Sequence, residues 1–208
     1  MTSGDYPKEV ILRDGTGVTL RPVEEADARA LCRLFDRIPE HDRWFLGEDV
    51  RDPQVIQNWM SMEERGKGFS IASILEGRIL GLATLHRTHF GSKSHIGEIE
   101  ISVDPEFRER HLATWMLLEL INLAMSAELE ILAMYLAEDR DSALLGSLKR
   151  LGFKAEAVLR SFLKDREGNL HNMVIMVKHL DIGLSNGDGF EKSPKTLISA
   201  IPAKAGIQ

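Results

Sequence analysis

The segment Gly97–Leu118, GEIEISVDPEFRERHLATWMLL, brings two carboxylates, two guanidinium groups and a histidine close together in the chain. Glu98 and Glu100 sit two apart in a run that alternates at period two, Glu98-Ile99-Glu100-Ile101-Ser102-Val103, so a strand puts both on one face. Neighbouring carboxylates oppose each other's ionisation, which raises one pKa and suits a general base. The alternative for each is an exposed strand position or an ion-pair partner. Further on, Arg108 and Arg110 bracket Glu109 and precede His111. From Leu112 apolar residues return at helical spacing: Leu112, Trp115, Met116, Leu120, Leu123 and Ala124. The turn therefore opens a helix, whose first N–H groups lack intrahelical acceptors and carry the positive end of its dipole. Beside two arginines, that is a site for an anion, most simply a phosphate.

The elements that must position these groups follow from the flanking pattern. Asp104-Pro105 stops the strand, because proline has no ladder donor and biases the preceding residue away from helix. Upstream, Gly17–Val23 reads as the first strand and Glu25–Ile38 as an amphipathic helix with Ala26, Ala30, Leu31, Leu34 and Phe35 on one face. A polar stretch with embedded aromatics (Arg43-Trp44-Phe45-Leu46) leads to a second helix over Pro53–Arg65. Phe69–Leu75 and Ile79–His86 are strands joined at Glu76-Gly77-Arg78. Downstream come a strand over Ile131–Leu136, a helix from Ser142 closed by Gly152, and a hairpin of Ala155–Leu163 with Asn172–Val177. Asp181–Gln208 turns to Gly, Ser, Lys and Pro, and reads as a disordered tail after a domain spanning 1–180.

Composition narrows the classes. A chain of 208 residues with 43% hydrophobic content can bury one good core. A net charge of −6 argues against a general nucleic-acid binder. One cysteine, Cys32, set in an apolar helical pattern, excludes a disulfide framework and fits a reducing cytoplasm. No apolar run reaches the length of a membrane span, and the polar start MTSGDYPKEV is no signal peptide, so no membrane partner is expected. His86, His89 and His95 do not suggest a metal: on a strand His86 and His89 point to opposite faces, with no companion ligand at useful spacing.

Val103-Asp104-Pro105 followed by Arg108-Glu109-Arg110-His111-Leu112-Ala113 resembles the acyl-CoA signature of the GNAT N-acetyltransferase superfamily, a Val-x-Pro strand end and then Arg/Gln-x-x-Gly-x-Gly/Ala opening a helix. Arg108 and Ala113 match, and His111 stands where the pattern has its first glycine. The downstream Leu148-Lys149-Arg150-Leu151-Gly152-Phe153 is similar to the ending of the family's fourth helix. The opening Leu12-Arg13-Asp14-Gly15, Val18–Val23 and Ala26-Asp27 looks like that of bacterial Pat-type protein-lysine acetyltransferases.

The resemblance implies an α/β (α+β) fold, a central mixed, mostly antiparallel, twisted sheet flanked by helices. It implies acetyl-CoA as cosubstrate, its pyrophosphate on the turn Arg108, Glu109, Arg110, His111, Leu112, Ala113 and Thr114 and its pantetheine along Ile101, Ser102 and Val103. Glu98, ten positions before Arg108, falls where Pat-type enzymes carry their general base, and Glu100 could share that role. The family's helix-four asparagine and tyrosine positions hold Asp141 and Leu148; Asp141 could contact pantetheine or, as the simpler role, cap the helix. Leu148 cannot donate a proton, so the thiolate would leave as the anion or be protonated by water. Arg43–Leu46 lies where the family builds a substrate lip. The acceptor implied is a primary amine, preferably a protein lysine, with a polyamine or antibiotic as the small-molecule alternative and a non-catalytic acyl-CoA sensor as the rival class. The oligomeric state stays open. If position 111 takes a positive φ, histidine there costs on the order of 1–3 kcal/mol and weakens cofactor binding.

Overall fold

The computed structural model describes residues 6–61 and 63–181; the expected tail lies outside them apart from Asp181. Eight strands form one sheet in the order β1-β2-β3-β4-β5-β6-β8-β7. They are β1 (Lys8–Ile11), β2 (Gly17–Pro22), β3 (Gly68–Leu75), β4 (Arg78–Arg87), β5 (Ile96–Val103), β6 (Ile131–Ala137), β7 (Lys154–Lys164) and β8 (Leu170–His179). Every neighbouring pair is antiparallel except β5 with β6, which is parallel because a helix crosses over between them.

That helix is α4 (Leu112–Ser126), an apolar element that buries Leu112, Met116, Leu117 and Leu120 against one face of the sheet. The other face carries α1 (Ala28–Arg37), the short α2 (Glu40–Arg43) and α3 (Pro53–Met60), which bury Leu31, Leu34, Phe35, Ile56 and Trp59 on Ala72, Ile79 and Leu82. The α5 helix (Ser142–Arg150) follows β6 and ends as expected: Gly152 takes φ +83°, and the Phe153 N–H donates to the Leu148 carbonyl at 3.0 Å.

Three local expectations are corrected. The chain forms β1 before the first strand expected, because Lys8–Ile11 pairs with Gly17–Leu20 across a tight turn. The helix expected over Pro53–Arg65 stops at Met60. His89 lies beyond the end of β4, so no strand alternation relates it to His86.

The sheet opens between β5 and β6. β5 and β6 pair only at Ile96–Glu98 with Ile131–Ala133, then separate, although β5 runs on to Val103 and β6 to Ala137. β4 covers the far edge of β5 all the way to Val103. Past Glu98, the β6-facing backbone groups of Ile101–Val103 therefore have no strand beside them, and unpaired strand backbone seeks a partner.

Candidate active site in the divergence of β5 and β6

The corner after β5 is fixed by a buried carboxylate. Asp104 is fully buried and accepts hydrogen bonds from Arg37 Nε on α1 at 2.5 Å and Arg78 Nη2 on β4 at 2.8 Å. Burial opposes its ionisation, but the two guanidinium groups and the Glu106 N–H outweigh that and hold it below the usual carboxylate range. Through Arg37 the corner is tied to α1, and through Arg78 to the neighbouring strand.

The turn beyond it is strained. Glu109 and His111 both adopt positive φ, +60° and +67°, in the left-handed region that L side chains avoid. His111 thus takes the costlier of its two conformations, while its side chain and that of Glu109 stay exposed. The first intrahelical bond of α4 runs from the Trp115 N–H to the His111 carbonyl at 3.2 Å, so the N–H groups of Leu112, Ala113 and Thr114 have no acceptor within the helix. These are the N–H groups on which the expected anion site would rest.

Its arginines are engaged elsewhere. Arg108 Nη1 lies 2.9 Å from Asp42 of α2, and its Nε donates weakly to the Val103 carbonyl at 3.4 Å. Arg110 pairs with Asp14 at 2.8 Å and stacks over Phe107. Asp42 also receives Arg140, from just beyond β6, at 2.9 Å. This carboxylate therefore spans the two banks of the divergence. Burial again opposes its charge, and Arg108 and Arg140 reverse the balance, keeping its pKa low.

Glu98, Glu100 and Ser102 project to the α1 side, while Ile99 points into the α4 core. Glu100 lines a small cavity with Phe35, Leu46, Trp59 and Thr84. The loop over it comes close at Gly47, where a Cβ would sit 2.9 Å from Glu100 Oε1 and the carboxylate would have to shift. Burial pushes the Glu100 carboxyl up, the charges of Glu48 and Glu98 push the same way, and His86, 4.0 Å away, opposes them. Glu98 pairs in register with Ala133, and Tyr135 stands two residues on and so on the same face; burial and then the Glu98 charge push its phenol above the usual pKa. Sequence reasoning missed Tyr135, since only the β5–β6 register reveals its face.

Asp141 does not cap α5. It precedes the helix, but its carboxylate turns back to accept the Ala137 N–H at 2.9 Å. Burial raises its pKa, with that hydrogen bond opposing. Asp141 thus braces the end of β6, at the far bank of the divergence. Leu148 is fully buried and takes no part. The segment expected as a lip packs against the β7–β8 hairpin: Trp44 Nε1 donates to the Lys164 carbonyl at 2.8 Å, and Phe45 lies between Arg140 and His171. Among the described residues, no group of three or more potential ligands could hold a metal, and no helix is long and apolar enough to cross a membrane.

The sequence matches the acetyltransferase (GNAT) domain family over residues 18–154. The chain belongs to that family, and the eight-stranded sheet with its flanking helices is the GNAT fold. It is an acyltransferase of the kind that draws its acetyl group from acetyl-CoA. Solved structures agree in fold. The GNAT domain of PAT from S. lividans shares 16% identity, with 86% of this chain and 100% of that one covered and a TM-score of 0.71. The ribosomal-protein-S5-alanine acetyltransferase of Vibrio fischeri shares 18%, covering 79% and 93%, with a TM-score of 0.68. The putative acetyltransferase yncA from Salmonella typhimurium, solved with acetyl-CoA, shares 16%, covering 81% and 96%, with a TM-score of 0.68. No curated relative matches the chain. At these identities a PAT domain and an alanine acetyltransferase are equally neighbours in fold, so the Pat-type resemblance gains no preference.

Proposed function

We propose that this protein acetylates a primary amine carried on another protein, preferably a lysine side chain, with Glu98 as general base and Glu100 tuning it. The observation that carries the reading is the divergence of β5 and β6, which begins just past Glu98 on the strand that also carries Glu100. The residues suit acetyl-CoA. Free N–H groups at Leu112–Thr114 can take the pyrophosphate, and the unpaired edge of Ile101–Val103 can hydrogen-bond an extended pantetheine arm as a strand would. Arg108 and Arg110 would add charge to the phosphate end on leaving their carboxylate partners.

The amine would approach from the α1 side, past Glu48, Glu98 and Glu100, whose negative charge favours a cation. A lysine ammonium has a free pKa near 10.4, so presenting it neutral at pH 7.4 costs about 4 kcal/mol. A base beside it lowers that cost by taking the proton as the nitrogen attacks. An N-terminal α-amine, with a pKa near 8, needs far less help. This second reading is favoured by the structural likeness to the alanine acetyltransferase.

Labelled acetyl-CoA offered with proteins, with the same proteins blocked at the α-amine, and with polyamines separates these. Label surviving the α-amine block and mapping to lysine is the expected result. Label lost on blocking moves the acceptor to the N-terminus. Label in polyamines alone overturns the protein reading.

A further inference from the structure

Both arginines of the turn after β5 are held by carboxylates, and the two pairs differ in kind. Arg110 meets Asp14 alone, and both side chains are well exposed. Asp42 is 24% exposed and takes two partners: Arg108 Nη1 on Oδ2 and Arg140 Nη2 on Oδ1, each at 2.9 Å. Arg108 stands on the turn after β5 and Arg140 just beyond β6, so one anion holds two cations from opposite banks of the divergence. These two guanidinium groups keep it ionised against its burial. The unpaired N–H groups of α4 begin four residues beyond Arg108, at Leu112. The α2 segment that carries Asp42 is held at other points as well. Arg43 Nη1 donates to the Phe35 carbonyl at 2.7 Å, Trp44 Nε1 to the Lys164 carbonyl at 2.8 Å, and Glu40 pairs with Arg166. Asp42 can therefore let go of Arg108 without freeing the segment.

Resting on the proposed use of this turn for the phosphates of acetyl-CoA, we infer that Asp42 is a built-in competitor for them: it holds Arg108 until a phosphate displaces it. A guanidinium offers the same forked donors to a carboxylate and to a phosphate, and cannot serve both at full strength. Asp42 also repels a phosphate brought close to Arg108. The gain from pairing Arg108 with phosphate is thus offset by the pair it replaces. Asp42 therefore lowers the affinity for acetyl-CoA and for the CoA product alike. Arg140, on the other bank, keeps the carboxylate at the mouth of the divergence after the exchange, ready to recapture Arg108. The contact acts on the phosphate end alone, since Glu98 and Glu100 lie on β5 and make no ion pair with Asp42 among the described residues.

Calorimetry with acetyl-CoA, and with S-acetylpantetheine, which lacks the phosphates, reads this apart from turnover. Asp42→Asn should bind acetyl-CoA and CoA about fivefold more tightly, and S-acetylpantetheine within about twofold of the parent. With Arg108→Ala already in place, Asp42→Asn should change acetyl-CoA affinity by less than about twofold. Asp14→Asn removes the same unit of charge from an exposed pair and should also stay within about twofold of the parent. Asp42→Ser, neutral and smaller, repeats the measurement if the asparagine variant does not fold. A parent that binds acetyl-CoA while the neutral variants bind it equally or more weakly overturns the inference and spares the site. Equal tightening in Asp14→Asn, or tightening that survives Arg108→Ala, makes the effect one of net charge and overturns it too. A parent that does not bind acetyl-CoA overturns the proposed use of the turn along with it.

Discussion

The two faces of β5 carry alternate residues of one short strand, and they are built to opposite rules. On the α4 face Ile99 is 2% exposed and joins Leu85, Met116 and Leu120 in a core with no polar side chain among them. On the α1 face Glu98, Glu100 and Ser102 meet a loop, a small cavity and the open divergence. Placing carboxylates there forgoes apolar burial and sets like charges side by side, a cost that a purely structural strand would avoid. One face holds the fold, and the other is held ready by it.

Exchanging the fates of two adjacent residues tests that contrast most severely. Glu98→Gln should lower kcat by about 10²–10⁴-fold, equivalent to about 3–5 kcal/mol in the barrier, with the thermal midpoint almost unmoved. Ile99→Ala should do the reverse, lowering stability by about 3 kcal/mol in denaturant unfolding while the folded fraction keeps its kcat. Equal damage to stability from both would mean that the two faces are not divided in labour, and an unchanged kcat in Glu98→Gln would remove the base.

How far this division could be read in advance depended on range. The strand, its Asp-Pro stop and the helix entry at Leu112 were legible because period-two alternation, proline and helical spacing all act within a few residues. The α4 core followed from the same spacing. What stayed hidden was long-range or conformational. The Asp42 carboxylate is joined to Arg108 and Arg140 only by the folded loop, and no local pattern announces such a pairing. Tyr135 reads as one more aromatic in an apolar strand until the parallel register with β5 shows its face. Asp141 stands where a capping residue belongs and has a capping side chain, yet tertiary burial turns it back to Ala137. The four-residue edge strand β1 is too short to carry a periodic signal.

The second test sharpens the contrast at the turn, where the backbone and not the side chain is proposed to act. His111 holds φ +67° at a cost that glycine would not bear. His111→Gly should therefore stabilise the protein by about 1 kcal/mol and leave calorimetric acetyl-CoA affinity equal or tighter, since the N–H groups that would meet the phosphate remain. A loss of affinity of tenfold or more would show that the imidazole itself contacts the ligand.

The smallest effect lies at the rim, where the lip meets the hairpin of β7 and β8. His171 sits between Asp139, at 2.8 Å, and Asp165, at 3.2 Å, with the edge of its ring against Phe45. Hydrogen bonds to Asp139 and then Asp165 raise its pKa above the usual 6.5. In turn Asn169 first, and then His171, hold the Asp165 carboxyl down to about 2. A folded-state pKa raised above the unfolded one stabilises fully below about 6.5 and ceases to do so as pH rises through the folded value. The parent should therefore lose a little thermal stability between pH 6 and pH 9 that His171→Asn does not lose, while on the acid side the Asp165 contribution should fade as pH falls below the unfolded carboxylate value of about 3.9 towards about 2. Because Phe45 rests on this imidazole, releasing it should also loosen the lip: KM for the acceptor should rise modestly above pH 7 in the parent, with KM for acetyl-CoA steady. If both constants rise together, the rim and the cofactor end of the divergence are one mechanical unit, and the division between a scaffold face and a working face must be extended to the whole α2 loop.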